Sequence, residues 1–428
     1  MSQDRLVIRG GRALSGTVVP SGNKNAALPI LAACLLTDQE VVLENVPDIL
    51  DVHVMLALLD DLGVSVRDEG PNALALRADR VRTTHLDPDL CRRLRASLLL
   101  AGPLLARCGE VELPLAGGDF IGRRRVDTHL LAFRGLGADC EVNRSYSLSH
   151  RGLRGAELFL DEASVTATEN ALMAAVTATG RTVILNAAGE PHVQDLARFL
   201  VELGGRFEGI GTNRLIIDGV DRLHGGRFRI GPDYIEIGSF IGLGAITGSD
   251  LTITDVRASD MRMINLTFER MGIRVEMDGD TLRVPPDQTL RVVSDEGDAI
   301  PKIDDGIWPA FPADLTSIAT AVATQTHGTV MIFEKMFENR LFFVDKLVAM
   351  GARIVLCDPH RVLVSGPARL YGERLESPDI RAGMAMLIAS LAADGVSVIG
   401  NVGQIDRGYE RIDQRLRDLG ADIERVRE

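Results

Sequence analysis

Basic residues stand in this 428-residue chain where an apolar pattern would not put them. Lys24, in Ser21-Gly22-Asn23-Lys24-Asn25, opens a run of small apolar residues. Arg95 opens a second run before Ala96-Ser97, and Arg381 a third in Asp379-Ile380-Arg381-Ala382. If these runs are helices, each cation lies where unpaired N–H groups already carry partial positive charge, so it opposes the helix dipole. A bound anion would complete the arrangement. More cations fall in strand-to-helix loops: Arg123, Arg124 and Arg125, Arg340 in Phe337-Glu338-Asn339-Arg340, and Arg407 in Asp406-Arg407-Gly408-Tyr409. Singly, each reads as a solvated charge or a helix-end ion pair. Jointly they describe a site for a multiply charged ligand bearing phosphate and carboxylate.

Two acids could do proton chemistry beside such a ligand. Asp119 lies in Gly117-Gly118-Asp119-Phe120-Ile121-Gly122, a glycine-rich stretch of the loop 114–125 that can bend and close as a lid. Asp314 follows Phe311-Pro312-Ala313 and precedes an apolar run. Taken alone, Asp314 reads as a helix N-cap and Asp119 as a turn residue.

The elements that must position these groups repeat. Leu or Met followed by Gly recurs at Leu62-Gly63, Leu136-Gly137, Leu203-Gly204, Met271-Gly272, Met350-Gly351 and Leu419-Gly420, 74, 67, 68, 79 and 69 residues apart. A period of this kind is the mark of one supersecondary unit used many times. Each tag closes the same series. A helix apolar nearly all round (26–36, 96–106, 171–178, 237–246, 315–324, 382–393) leads to an alternating strand (41–43, 111–113, 182–185, 251–253, 329–332, 396–399). Next comes a charged loop and an amphipathic helix, such as the stripe Leu196, Phe199, Leu200, Leu203 or the stripe Tyr409, Ile412, Leu416, Leu419. The first helix must be buried and the second must lie outside, with the tag glycine ending it in the left-handed conformation. A lone Gly242-Leu243-Gly244 falls inside an apolar helix with no strand leading into it, so it reads as close helix packing and not as a dinucleotide loop.

The length exceeds what one hydrophobic core holds, and six units divide into two sets of three near Gly231-Pro232-Asp233, with a second hinge at Pro20-Ser21-Gly22. The strand Arg5 to Arg9 precedes the first unit and is expected to pair with the last. Apolar runs fall far short of the ~20 residues of a membrane span, and the start lacks a signal-peptide core, so a cytoplasmic protein without a membrane partner is expected. Five scattered cysteines and eight dispersed histidines make neither a disulfide framework nor metal-ligand spacing. No metal and no cofactor are expected. A net charge of −13 disfavours nucleic acid.

At these segments the chain resembles the enolpyruvyl transferases, on their nucleotide-sugar branch. The matching text is Ser21-Gly22-Asn23-Lys24-Asn25-Ala26-Ala27-Leu28-Pro29, Arg95-Ala96-Ser97, Gly117 through Asp127, Asn186-Ala187-Ala188-Gly189-Glu190-Pro191, Phe311 to Asp314, Phe337 to Arg340, and Asp406-Arg407-Gly408-Tyr409-Glu410-Arg411, in family order over nearly the whole chain. The resemblance implies an α/β fold of two inside-out α/β barrels with three helix-strand-helix-strand units each. One comprises 22–231 with the lid, the other 1–21 plus 232–428, and the active site lies in the cleft between them. It implies transfer of the enolpyruvyl group of phosphoenolpyruvate to the 3′-hydroxyl of UDP-N-acetylglucosamine with release of phosphate, the first committed step of peptidoglycan precursor synthesis. No obligate protein partner is implied.

By the same resemblance Lys24, Asn25, Arg124, Arg340, Arg381 and Arg407 hold phosphoenolpyruvate. Arg95, Arg124, Arg125, Val126, Asp127, Thr128, Glu162, Ala163, Ser164, Val165, Asp314 and Met336 contact the nucleotide sugar. Asp119, Asp314 and Lys24 are the catalytic set, Asp119 as acid toward C3 and Asp314 at the 3′-hydroxyl proton. Asp119 stands where most members have Cys, which implies resistance to the epoxide fosfomycin, since a carboxylate is a poorer nucleophile than a thiolate. Arg125 replaces a usual Pro, Glu162 a common Lys and Thr166 a usual Gly. Two other readings remain: a shikimate 3-phosphate transferase of the same fold, and a non-catalytic nucleotide-sugar-binding paralogue.

Overall fold

The tag glycines behave as their spacing requires. Gly63, Gly137, Gly204, Gly272, Gly351 and Gly420 all take positive φ, between 77° and 105°, each just past the end of a helix. That conformation costs an L-residue with a Cβ and is open to glycine. The computed structural model describes residues 4–117, 121–122 and 124–427. Asp119, with Gly118, Phe120 and Arg123, lies outside the described residues.

Of six sheets among the described residues, five have four strands on one plan and one has three. A central strand such as Val41–Glu44 pairs antiparallel with the second strand of a hairpin, here Ser65–Gly70 and Ala73–Arg77, and parallel with an edge strand, here Gly226–Arg229. The corresponding strands of the other four-stranded sheets are Arg181–Leu185, Asp250–Ile253, Gly328–Phe333 and Val396–Gly400, while in the three-stranded sheet Glu110–Pro114 is an edge strand that pairs with Ser145–Ser149. In the last sheet the place of the second hairpin strand is filled from far away in the sequence. Arg5–Arg9 takes that place, antiparallel to both Val396–Gly400 and Asp422–Val426.

Contacts divide the chain into two compact units, 22–117 with 124–231, and 4–21 with 121–122 and 232–427; the second is called the terminal unit below. Each has its own core. In the terminal unit the helices Tyr234–Thr247, Thr316–Ala323 and Ile380–Ala392 are buried along almost their whole length. Gly242 sits where a Cβ would stand 2.9 Å from Ile318 Cγ2, so this glycine is set by helix packing. The helix Pro191–Glu202 of the other unit buries one face, Leu196, Phe199 and Leu200, each worth roughly 1.5–3 kcal/mol of transfer free energy. No described helix is long and apolar enough to cross a membrane.

Three expectations need correction. The second apolar helix starts as a 3-10 turn, Arg95–Leu100, before Ala101–Cys108. The stripe through Tyr409 does not form one helix: Gly403–Asp406 and Ile412–Asp418 are separated, and Arg411 between them has φ of 40°. Asp314 does not stand at a helix N-cap: it lies inside the 3-10 turn Ala313–Leu315, and Leu315 holds the cap position of Thr316–Ala323. Its carboxylate turns to guanidinium groups.

Candidate active site

In the terminal unit Asp314 lies in the 3-10 turn Ala313–Leu315, ahead of Thr316–Ala323. Arg340 Nη2 donates to its Oδ1 at 3.0 Å, while Arg381 donates to Oδ2 through Nε at 3.1 Å and Nη2 at 2.8 Å. Both arginines are only 4 % exposed, whereas the Asp314 side chain is 26 % exposed. A carboxylate gripped by two charged donors and open on one side can receive a proton from a hydroxyl group. Arg381 is held in turn. Asp379 caps the helix Ile380–Ala392 by accepting from the Arg381 and Ala382 amides, and the Arg381 guanidinium lies 5.5 Å from the Tyr409 ring centre. Burial opposes the Arg381 charge, but Asp314 and then Tyr409 and Asp233 retain it. Asp233, the N-cap of Tyr234–Thr247, is pushed up to about 6 by burial, with Arg381 pulling the other way.

Arg407 follows Gly403–Asp406 and donates to Gln404 Oε1 at 2.9 Å. Its neighbour Asp406 is fixed by two 2.8 Å bonds from Arg425. Met336 is exposed beyond the strand Gly328–Phe333. The Ile121 carbonyl oxygen accepts from Asn339 N at 3.1 Å.

In the other unit Lys24 and Asn25 begin the helix Lys24–Ala33, which Asn23 caps. Lys24 Nζ meets Asp51 Oδ2 at 2.7 Å, and both are buried. The opposition between cation and helix dipole is therefore relieved inside the protein. Arg95 donates to the Arg124 carbonyl oxygen at 3.1 Å, which brings these two site residues together, and burial holds its guanidinium below the usual range. Val126 precedes the helix Asp127–Gly135, whose first turn carries Asp127 and Thr128. Arg125 gathers Asp127 at 3.2 Å, Asp161 at 2.8 Å and Glu162 at 3.9 Å. Thr128 Oγ1 donates to Asp161 at 2.7 Å, and this bond together with Arg125 holds the Asp161 carboxyl below the ordinary range. Glu162 and Ala163 lead to Ser164, which caps Val165–Ala175.

Behind this edge lies a chain whose direction is fixed. Asn170 takes the Gly102 amide on Oδ1 at 2.7 Å and donates through Nδ2 to Leu98 O and to His129 Nδ1, at 3.0 and 3.1 Å. His129 Nδ1 must then accept, so the ring is neutral and its Nε2 donates to Thr166 Oγ1, 3.1 Å away. Burial pushes the imidazole down to about 3, with Arg95 adding to the effect.

The sequence reading missed Asp51, Asp161, Asp233, Asp379 and Tyr409 as holders of the cations. Asp379, just ahead of an apolar run, carried a helix-cap signal. Asp51 and Asp161 carried none, because their partners are remote in sequence.

The family model for EPSP synthase (3-phosphoshikimate 1-carboxyvinyltransferase) matches residues 8–416. The chain belongs to the EPSP synthase family. Within it, the chain is 56 % identical to the UDP-N-acetylglucosamine 1-carboxyvinyltransferase of Bradyrhizobium diazoefficiens, over 100 % of this chain and 99 % of the relative. It is 54 % identical to the enzyme of that name from Treponema denticola, over 98 % of each. Among solved structures, the enolpyruvyl transferase NikO of Streptomyces tendae aligns over the full length of both chains with a TM-score of 0.88 at 25 % identity. EPSP synthase family members are thus similar to this chain from end to end, in sequence and in fold.

Proposed function

We propose that this chain transfers the enolpyruvyl group of phosphoenolpyruvate to the 3′-hydroxyl of UDP-N-acetylglucosamine and releases phosphate. The observation that carries the reading is Asp314, open to solvent on one side and gripped by Arg340 and Arg381 on the other. The choice of acceptor is supported by full-length relatives of that name at 54–56 % identity. The sugar oxygen adds to C2 of phosphoenolpyruvate as Asp314 takes its proton, and C3 gains a proton in the same addition. Elimination then removes a proton from C3 and breaks the C2–O bond to phosphate, restoring the double bond. Asp119 is the proposed donor to C3.

Lys24, Asn25, Arg124, Arg340, Arg381 and Arg407 would balance the charge of phosphoenolpyruvate and of the departing phosphate. Arg95, Arg124, Arg125, Val126, Asp127, Thr128, Glu162, Ala163, Ser164, Val165 and Met336 would contact the nucleotide sugar. The finer architecture, an inside-out α/β barrel of three repeated units in each domain, a closing lid at 114–125, a cytoplasmic setting and a role in peptidoglycan precursor synthesis belong to the same proposal.

The family's name carries a second acceptor, shikimate 3-phosphate, which the full-length relatives support less. Phosphate release from phosphoenolpyruvate, measured with each acceptor in parallel, decides between them. Release with UDP-N-acetylglucosamine alone is expected; release with shikimate 3-phosphate alone would overturn the reading, and release with neither would point to the non-catalytic paralogue.

A further inference from the structure

Asp305 Oδ2, Thr316 Oγ1, Glu334 Oε2 and Arg340 Nε are among the buried polar atoms without a hydrogen-bond partner in the described residues of the terminal unit. They surround one side chain. Glu334 is fully buried, its Oε2 lies 3.7 Å from Arg340 Nε, and its carboxyl faces Asp305 and the Thr316 hydroxyl. Among the groups around it His360 is also titratable, with Nδ1 set against the Glu334 carbonyl oxygen at 2.7 Å. The other oxygens of the two acids are used. Glu334 Oε1 accepts from Phe337 N at 3.2 Å and Asp305 Oδ1 accepts from Lys335 N, so the pair anchors both ends of the turn leading to Arg340.

Two ionised carboxylates facing each other in a dry interior repel and leave two acceptors unsatisfied. One proton between them converts that contact into a hydrogen bond. Arg340 meanwhile stands between two acids, Asp314 on its Nη2 edge at 3.0 Å and Glu334 on its Nε edge. Were Glu334 ionised, its pull on Arg340 would compete with that of Asp314.

We propose that Glu334 and Asp305 share a single proton, and that Glu334 is a positioning residue which, kept neutral, leaves the Arg340 charge to Asp314. Burial pushes the Glu334 carboxyl up against the opposing pull of Arg340, and Asp305 adds to the push. Singly protonated at neutral pH, the pair loses its proton on the alkaline side, and activity should decline there. The part of the proposal that concerns Asp314 rests on the reaction assigned above; the shared proton does not.

The experiment follows kcat against pH by phosphate release for the unaltered protein, Glu334→Gln and Asp305→Asn, with infrared titration of the same three proteins. Glutamine mimics the neutral acid, so Glu334→Gln should keep neutral-pH turnover to within about threefold and lose the alkaline decline. Asp305→Asn removes the like charge and offers Glu334 a donor, so the decline should move about one pH unit or more toward neutral. In the infrared, a carboxylic-acid C=O band present at neutral pH should vanish on alkaline titration and be absent from Glu334→Gln. An unchanged alkaline decline in Glu334→Gln, or loss of turnover in it with the fold intact, overturns the positioning role. Absence of the band overturns the shared proton, whatever the turnover measurements give. Should Glu334→Gln fail to fold, the shift in Asp305→Asn and the band in the unaltered protein decide the matter.

Discussion

The two units use one sheet plan and hold their charges in opposite ways. In 22–231 the strap of Arg125, Asp127, Asp161 and Glu162 lies at the surface, every member 38 % exposed or more. In the terminal unit Arg340 and Arg381 are packed inside and reach Asp314 from below. Exposed pairs gain little, since water and salt screen them. A buried pair pays heavily for desolvation and becomes dependent on both partners. Under the proposed function, the exposed rim of one unit would meet the nucleotide sugar and Asp314 of the other would accept the proton.

The sharpest way to break that comparison is Asp314→Asn. It keeps the volume but removes the charge that two buried guanidiniums hold, and the loss expected for a general base is about 10²–10⁴ in kcat. Phosphate release under saturating substrates measures it; near-normal turnover would remove Asp314 from the chemistry.

Lys24→Ala probes a site cation of 22–231 that is buried with a carboxylate. It removes the cation paired with Asp51 in the interior, so stability should fall by about 3–5 kcal/mol by denaturant titration, along with most of the activity. Were only activity lost, Lys24 would belong with the rim.

His129 sharpens the same contrast through pH. Its imidazole titrates at about 3 in the folded protein against 6.5 when exposed. The unfolded chain therefore binds the proton first. The stabilising effect of the neutral ring is complete above about 6.5 and is lost as pH falls through the window toward 3, at up to about 1.4 kcal/mol per pH unit. Melting temperatures from pH 7 to 4 should fall less steeply for His129→Gln.

Arg125→Ala has the smallest expected effect on stability. Its three carboxylate partners are exposed, so the melting temperature should stay unchanged within measurement while the Kd for UDP-N-acetylglucosamine rises by about tenfold or less. A large stability loss would show the strap to be structural and erase the distinction between the units.

Much of this was legible from residue order, for reasons of range. The tags, the buried helices and the central strands depend on periodicity and on the conformational freedom of glycine, which act within a few residues. Local patterns likewise marked Lys24, Arg95 and Arg381 as cations in unusual places, and the family match supplied the remaining site residues. Local pattern misled at Asp314, whose place before an apolar run looks like a cap, because nothing nearby in the sequence announces guanidiniums from Arg340 and Arg381. It was equally silent on Asp51, Asp161 and the Asp305–Glu334 contact. Whether a charge is buried, and beside which partner, depends on segments brought together from far along the chain, and the cost of desolvation that decides its protonation exists only once they have met.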